Sequence, residues 1–381
     1  MQCLNRTQAS GLKNRRNFFI AAAALALASV AAPASATNWW TATPTVSIGT
    51  TVLNVKNFGA MGNGVTDDTA AFQAAVNALP STGGTIVVPT GNYMINALTG
   101  INLRSHTRLS LWGTAYLKAI PNNATRYWIV KAWNVNNVEI VGGNYVGERT
   151  QHQGTTGEWG YLINIEGSSN VYVHDTSLSN SWGDGILVGG TGWGRTVVVS
   201  TNVTLNRVKS TNNRRQGLTI APSNQVYVVN SSFTNSNGTL PQSGIDIEPQ
   251  TQGVTQNVRL ENTTVSGNVG NGLEVHDYVS GLTLSGFTAL NNQGFGAYVN
   301  GANGVVITKS NLSQNYLFGV DIAGYTNNVQ LTSNTIEWNG DTWFYAHSQS
   351  IFSAGWALRD ITIASTATNV TQTSNLISPM K

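Results

Sequence analysis

Gly185-Ile186-Leu187-Val188, Gly217-Leu218-Thr219-Ile220 and Gly244-Ile245-Asp246-Ile247 open a series that continues through Gly272-Leu273-Glu274-Val275, Gly296-Ala297-Tyr298-Val299 and Gly319-Val320-Asp321-Ile322. The glycines stand 32, 27, 28, 24 and 23 residues apart, a spacing at which self-similarity means stacked coils rather than one globular sheet. Each copy is followed by a second alternating strand, beginning at Asn202, Gln225, Asn257, Gly281, Gly304 and Asn328. Period-two alternation sends one set of side chains inward and the other outward. Ten residues beyond the first inward residue of these strands stand Asn213, Asn268, Asn292, Asn315 and Asn339, with Ser236 breaking the count beside Asn235. This spacing predicts an asparagine ladder, because Asn tolerates a left-handed corner and stacked amides satisfy one another from coil to coil.

The chain has 381 residues, 41% hydrophobic and only 10% charged, with 40 glycines. That composition describes an ordered, turn-rich protein, and the repeat favours one elongated domain. At its start, Arg15 and Arg16 precede an apolar run from Phe18 to Val30 and a small-residue site at Ala34-Ser35-Ala36, which reads as a secretory leader over residues 1–36. The arginine pair resembles a twin-arginine signal, with Asn14 where that signal has Ser or Thr. Export to a bacterial periplasmic or secreted destination is the expectation. The leader holds Arg6, Lys13, Arg15 and Arg16 and no acid, so its loss takes the formal charge from +3 to −1. The mature chain then has no basic excess with which to bind nucleic acid. The single cysteine, Cys3, leaves with the leader, so stability is expected from stacking rather than disulfides. No apolar run of about 20 residues follows, and no membrane helix is expected.

Residues 37–53 read as a linker and 54–381 as the repeat domain. Asn57-Phe58-Gly59-Ala60-Met61-Gly62-Asn63-Gly64-Val65-Thr66-Asp67-Asp68 leads into Thr69-Ala70-Ala71-Phe72-Gln73, a short strand, a glycine turn and a helix start with Thr66 or Asp67 available as cap. Gly83-Gly84-Thr85-Ile86-Val87-Val88-Pro89 then begins the first coil. Asp67 and Asp68, although conspicuous, read as helix-capping and structural. Residues 54–95 resemble the amino-terminal module of the pectin-lyase-like superfamily, of the pectate lyase and rhamnogalacturonase type. The resemblance implies an all-β, single-stranded right-handed parallel β-helix with a short amino-terminal capping helix. It also implies a polysaccharide substrate more firmly than any one reaction, since hydrolases, lyases, epimerases and phage tail-spikes share the architecture.

Chemistry belongs on the outward positions. The third residues of the glycine-led strands are Leu187, Thr219, Asp246, Glu274, Tyr298 and Asp321, and the fifth are Gly189, Ala221, Glu248, His276, Asn300 and Ala323. Two central coils therefore gather Asp246, Glu248, Glu274 and His276 in a chain with only 17 acids. Asp246 and Glu248, two apart on a strand, would lie roughly 7 Å apart, and stacked coils about 4.8 Å apart. The first spacing suits an inverting glycosidase pair, while the second raises one carboxyl's pKa or recruits a cation such as calcium. Asp184, Arg214, Arg215 and Gln216 precede the same strands and could orient a sugar carboxylate or hydroxyl. Trp128, Trp133, Trp159, Tyr161, Trp182 and Trp193, with Trp338, Trp343 and Tyr345 later, are either sugar-stacking platforms or packing groups. The segment Tyr145 to Trp159, carrying His152 and Glu158, has no repeat counterpart and reads as a loop beside the groove.

Three functions follow. The first is an exported glycosidase-type enzyme in which Asp246, Glu248, Glu274 and His276 carry the catalysis, Asp184, Arg214, Arg215, Gln216, Tyr298 and Asp321 bind substrate, and no cofactor is needed. The Asn-Thr-Asp, Gly-His-Gly and Arg-Ile-Lys signatures of galacturonases are missing from it. The second is a lyase or uronate epimerase, with His276 or Tyr298 as base or acid, Arg214 or Arg215 as carboxylate clamp, and calcium held by Asp246, Glu248 and Glu274. The third is a β-helix that binds carbohydrate without turnover. In all three the partner is a polysaccharide, an acidic one in the second, with no nucleic acid or membrane partner, and oligomeric state is left open.

Overall fold

The computed structural model describes residues 38–340 and 360–377. The leader, Trp343 and Tyr345 lie outside the described residues. From Thr51 onward the chain winds as a parallel β-helix with three strands per coil. A central coil shows the plan: Ile245–Ile247, Thr255–Glu261 and Thr264–Ser266 stack in parallel on Leu273–Val275, Val279–Ser285 and Thr288–Leu290 of the next coil. The third strand was not expected. It is three residues long with a buried central residue, such as Phe233, Val265, Ala289 or Leu312, too short for alternation to show.

Backbone bends recur every five residues. Asn202, Arg207 and Asn212, then Gln225, Asn230 and Asn235, then Asn257, Asn262 and Gly267 all have positive φ, between 46° and 66°. Left-handed backbone turns the chain at each corner, which is why Asn and Gly prevail there. The ladder asparagines fall one residue later: Asn212, Asn235 and Asn291 take the left-handed turn, and that turn aims the following side chain inward. Asn268 Nδ2 donates to Asn292 Oδ1 (2.8 Å), Asn292 to Asn315 (2.9 Å), Asn315 to Asn339 (3.0 Å) and Asn339 to Asp360 (3.0 Å), all buried. The amide stack thus exists, but its residues are not the corner residues.

Inside, stacked aliphatics such as Val203, Val226, Val258, Leu282, Val305 and Val329 are fully or almost fully buried, each contributing about 1.5–3 kcal/mol. The helix Thr69–Asn77 sits at the amino-terminal end, with Phe72 edge-on to Tyr93 at 5.2 Å. Asp67 Oδ1 accepts from Thr69 N (3.0 Å), while Asp68, 1% exposed, accepts from Met61 N (2.6 Å) and Gly62 N (3.0 Å). Both aspartates are structural: one caps the helix, the other ties down the glycine turn. The expected linker is shorter than 37–53, because Thr51–Asn54 already pairs with Gly84–Val88. Before it, Trp40 lies under the Arg259 guanidinium (4.5 Å), and Ala42 O accepts from Tyr172 Oη (3.0 Å) and Asn206 Nδ2 (2.8 Å). Among the described residues no helix is long and apolar enough to cross a membrane.

Candidate active site

Parallel stacking without slippage lines up the third residues of the glycine-led strands. Leu187, Thr219, Asp246, Glu274, Tyr298 and Asp321 are successive partners in one column. At its middle, His276 Nε2 lies 3.2 Å from Asp246 Oδ1 and 3.5 Å from Glu274 Oε1. Gln216 Nε2 donates to Asp246 Oδ2. Ser243 Oγ (2.9 Å) and Asn271 Nδ2 (3.0 Å) donate to Glu274 Oε2, which leaves Oε1 toward the imidazole.

Burial, reinforced by the Glu248 and Glu274 charges and opposed by His276, pushes the Asp246 carboxyl up to about 7. The contact with Asp246 is the main reason that His276 rises to about 9, with Glu274 and Glu248 adding to it. At neutral pH the imidazole is therefore a cation over a buried carboxyl. Asp246 is 0% exposed and lies behind His276, whose side chain is 37% exposed. The expected role of Asp246 as an accessible acid is corrected accordingly.

Glu248 is not free to partner Asp246 across a water molecule. Arg215 Nη2 donates to Glu248 Oε1 at 2.7 Å and Nη1 to Asp184 Oδ2 at 3.1 Å. Gln250 Nε2 reaches Glu248 Oε2 at 3.2 Å. The inverting pair read from strand spacing is replaced by a buried bridge, because a corner arginine one coil back reaches across to the fifth-position acid. Arg215 itself, only 8% exposed, is no open clamp for a sugar carboxylate. Asp184 is wholly buried, accepts from Thr219 Oγ1 at 2.8 Å, and is raised to about 6 by burial against the pull of Arg215. Gln216 acts as the partner of Asp246 rather than as a substrate ligand.

Arg214 leaves the acidic centre altogether. Its guanidinium stacks on Trp182 (3.9 Å) and donates to Gly157 O (2.8 Å). Trp182 in turn stacks on His152 (3.8 Å), which contacts Glu148 at 2.9 Å with both side chains buried. This sandwich fixes the 145–159 segment beside the groove. Tyr298 stacks on Phe295 (5.4 Å) one coil beyond Glu274, and its hydroxyl is raised by burial and by nearby Asp321 and Glu274. Asp321 accepts from Thr362 Oγ1 at 2.6 Å, and burial raises its carboxyl.

The calcium set of Asp246, Glu248 and Glu274 does not assemble. Asp246, Glu274 and His276 converge instead, with candidate ligand atoms within 4.8 Å of one another. Calcium favours six to eight oxygens, so a set that includes an imidazole and lacks Glu248 does not fit it.

Toward the amino-terminal coils the groove deepens into a cavity of about 420 Å³. Trp159, Trp193, Tyr161 and Glu158 line it, together with Glu166, Arg126 and Gln250, which sequence reasoning missed. Glu166 had a usable signal: it pairs with Gly189 and so extends the fifth-position column one coil backward. Trp128 and Trp133 flank Lys131 at 4.9 and 4.3 Å. The tryptophans therefore divide between packing and open surface, with Trp159 and Trp193 44% and 61% exposed.

An uncharacterised protein of Bacillus subtilis, YclG, is 30% identical over 246 residues, which is 57% of this chain and 42% of that protein. Mannuronan C5-epimerase AlgE5 of Azotobacter vinelandii is 28% identical over 274 residues, 71% of this chain and 24% of that enzyme. The chain thus spans less than half the length of either relative. Among solved structures, the A-module of Azotobacter vinelandii mannuronan C-5 epimerase AlgE6 superposes with a TM-score of 0.63 at 20% identity, covering 86% of this chain and all of that module. A right-handed β-helix model matches residues 241–376. With residues 52–298 matched by the model for rhamnogalacturonase A/epimerase, pectate lyase-like proteins, the chain belongs to that family.

Proposed function

We propose that the chain modifies a uronate-containing polysaccharide by abstracting the proton at C5, with epimerisation as the outcome. The observation that carries this reading is a partly exposed imidazole, that of His276, held 3.2 Å from the buried Asp246 carboxyl and 3.5 Å from Glu274 Oε1. A proton next to a uronate carboxylate becomes acidic only when that carboxylate's charge is offset. His276, held as a cation by Asp246, supplies the offset. Glu274 Oε1 takes the C5 proton, and the electron pair moves into the C5–C6 bond. The Tyr298 hydroxyl returns a proton to the opposite face of C5, after which Glu274 gives its proton up to solvent and the tyrosinate is reprotonated from solvent. If the pair instead expels the C4 oxygen, which takes its proton from the Tyr298 hydroxyl, the same first step gives elimination.

Hydrolysis, the alternative drawn from strand spacing, loses support because Glu248 is bound to Arg215 and Asp246 is inaccessible. The relatives named mannuronan C5-epimerases favour proton transfer at C5. The test incubates the protein with mannuronan and with mixed uronate polymers in D2O, with and without chelator. Deuterium at C5 with no new reducing ends is expected. New reducing ends without deuterium or unsaturated-uronate absorbance would establish hydrolysis and overturn the proposal.

A further inference from the structure

Five coil steps separate Arg126 from His276. The Arg126 strand stacks on Trp159–Glu166, and the stack continues through Ile186–Thr191, Leu218–Ile220 and Ile245–Ile247 to Leu273–Val275, which leads into His276. At about 4.8 Å per coil the two residues stand roughly 24 Å apart along the axis, a length that only several linked sugars span. Between them lies the cavity of about 420 Å³, with Arg126 in its lining. A polymer that reacts at Glu274 and follows the coils toward their amino-terminal end crosses this cavity.

Most of the charge there is already paired. Arg215 Nη2 bonds Glu248 Oε1 at 2.7 Å, and its Nε lies 3.7 Å from Glu158 Oε2. The remaining acid, Glu166, is half-buried; desolvation raises its carboxyl, and two cations, Arg126 and Lys131, act on it. Lys131 is held between the rings of Trp128 and Trp133. Arg126 is exposed, and its guanidinium makes no hydrogen bond or ion pair among the described residues. Two cations against one acid leave positive charge in surplus at this end of the cavity. A guanidinium with all its donors free matches a carboxylate, to which it can bond through two parallel N–H groups.

The surroundings suit a sugar that carries such a group. Arg126 stands in register with Trp159 on the next coil, and the segment before Trp159 is pinned by the His152, Trp182 and Arg214 stack. Trp193 lines the same space from a turn that Gln252 Nε2 braces by donating to Gly190 O (2.8 Å) and Gly192 O (3.0 Å). Gly189 and Ala221 keep the floor low; a Cβ on Gly189 would stand 3.1 Å from that of Ala221. The exposed indoles offer apolar faces to a pyranose ring, while the arginine takes the ring's charged substituent.

Resting on the C5 reading above, we propose that this cavity is a second uronate subsite in which Arg126 binds the carboxylate, so that the substrate carries another uronate several sugars from the one at His276. The test is calorimetric titration of the protein at pH 7 with a mannuronate octasaccharide and with a neutral β-1,4-linked mannose octasaccharide. Arg126→Gln should weaken mannuronate binding about tenfold and leave any neutral binding within about twofold. The difference between wild type and variant should shrink as salt is raised. Because the Arg126 side chain has no partner to lose, the variant should unfold at the wild-type denaturant midpoint. No mannuronate binding by the wild type, binding untouched by Arg126→Gln, or an equal loss for both sugars overturns the subsite. The two proposals fail separately: no deuterium at C5 in any polymer defeats the reaction and leaves the calorimetric result standing, whereas deuterium at C5 with mannuronate binding unchanged in Arg126→Gln defeats the subsite alone.

Discussion

Replacing Asp246 with Asn keeps the side chain's shape and removes the charge on which the His276 proton depends. In the wild type that proton is held to about 9, chiefly by the contact with Asp246 at 3.2 Å, with Glu274 at 3.5 Å and Glu248 assisting against desolvation. In Asp246→Asn only the two glutamates remain, so the titration midpoint should fall by about one to two pH units. Each unit corresponds to about 1.4 kcal/mol of interaction. Because the imidazole is 37% exposed, solvent screening reduces the coupling to about 1 kcal/mol in total stability. The assay is an NMR titration of the imidazole carbon-bound protons from pH 5 to 10, with His276→Gln identifying the signal among five histidines. The same variant should move the alkaline limit of activity downward by a similar amount. A His276 midpoint that stays near 9 in Asp246→Asn would refute the electrostatic coupling and with it the role assigned to Asp246.

Other tests address the scaffold and the bridge. Asn292→Ala takes the Oδ1 acceptor from Asn268 N and Nδ2 and the Nδ2 donor from Asn315 Oδ1 and Val265 O inside the coils; at about 1–3 kcal/mol for a buried group left unsatisfied, denaturant unfolding should show a loss of about 2 kcal/mol or more, and a loss below about 1 would deny the ladder a structural role. Arg215→Met leaves Asp184 and Glu248 without their shared cation, so stability should drop by about 3–5 kcal/mol, measured by the same unfolding curves; a neutral effect would mean that the acids find other partners. Asp184 and Asp246 keep protons to about 6 and about 7, and His276 to about 9. In each case the folded state holds a proton that the unfolded chain has released, so stability falls as pH rises, through the aspartates between about pH 4 and 7 and through His276 between about 6.5 and 9. Asp175, lowered to about 2 by Arg207, opposes this only below about pH 4. Thermal scans should therefore give a Tm that declines from pH 5 to 9, and a Tm that climbs over that interval would contradict these assignments.

The column of outward residues was readable from sequence because parallel coils lock register: once Gly244 and Gly272 are aligned, Asp246 must stack on Glu274 and Tyr298 must follow. The same logic found the amide ladder, since its period belongs to the coil and not to any loop. What escaped was set by corners of unequal length. Arg215 is adjacent to Gln216 in sequence, yet one engages Glu248 and the other Asp246. No alternation rule distinguishes which neighbour points where at a turn. The left-handed residue was misplaced by one for a similar reason, because Asn serves both as corner and as ladder, and Asn212-Asn213 and Asn291-Asn292 contain both roles side by side.

Corner contacts, not strand spacing, set what each carboxylate in the column can do. Strand geometry alone makes Asp246 and Glu248 equivalent carboxylates two residues apart, a pattern suited to holding a water molecule between acid and base. The corner residues break that equivalence: Gln216 and His276 enclose Asp246, while Arg215 and Gln250 hold Glu248 aside. Two acids of one strand thereby acquire different tasks, one to maintain a cation at the surface and the other to border the adjoining cavity. A coil stack supplies the ladder of positions, and the loops between its strands decide which of those positions remain open to substrate. Aligning glycine-led strands in other chains of this architecture should therefore locate the acidic column, but only the residues just before each glycine will tell whether its carboxylates face water, a cation or a buried arginine.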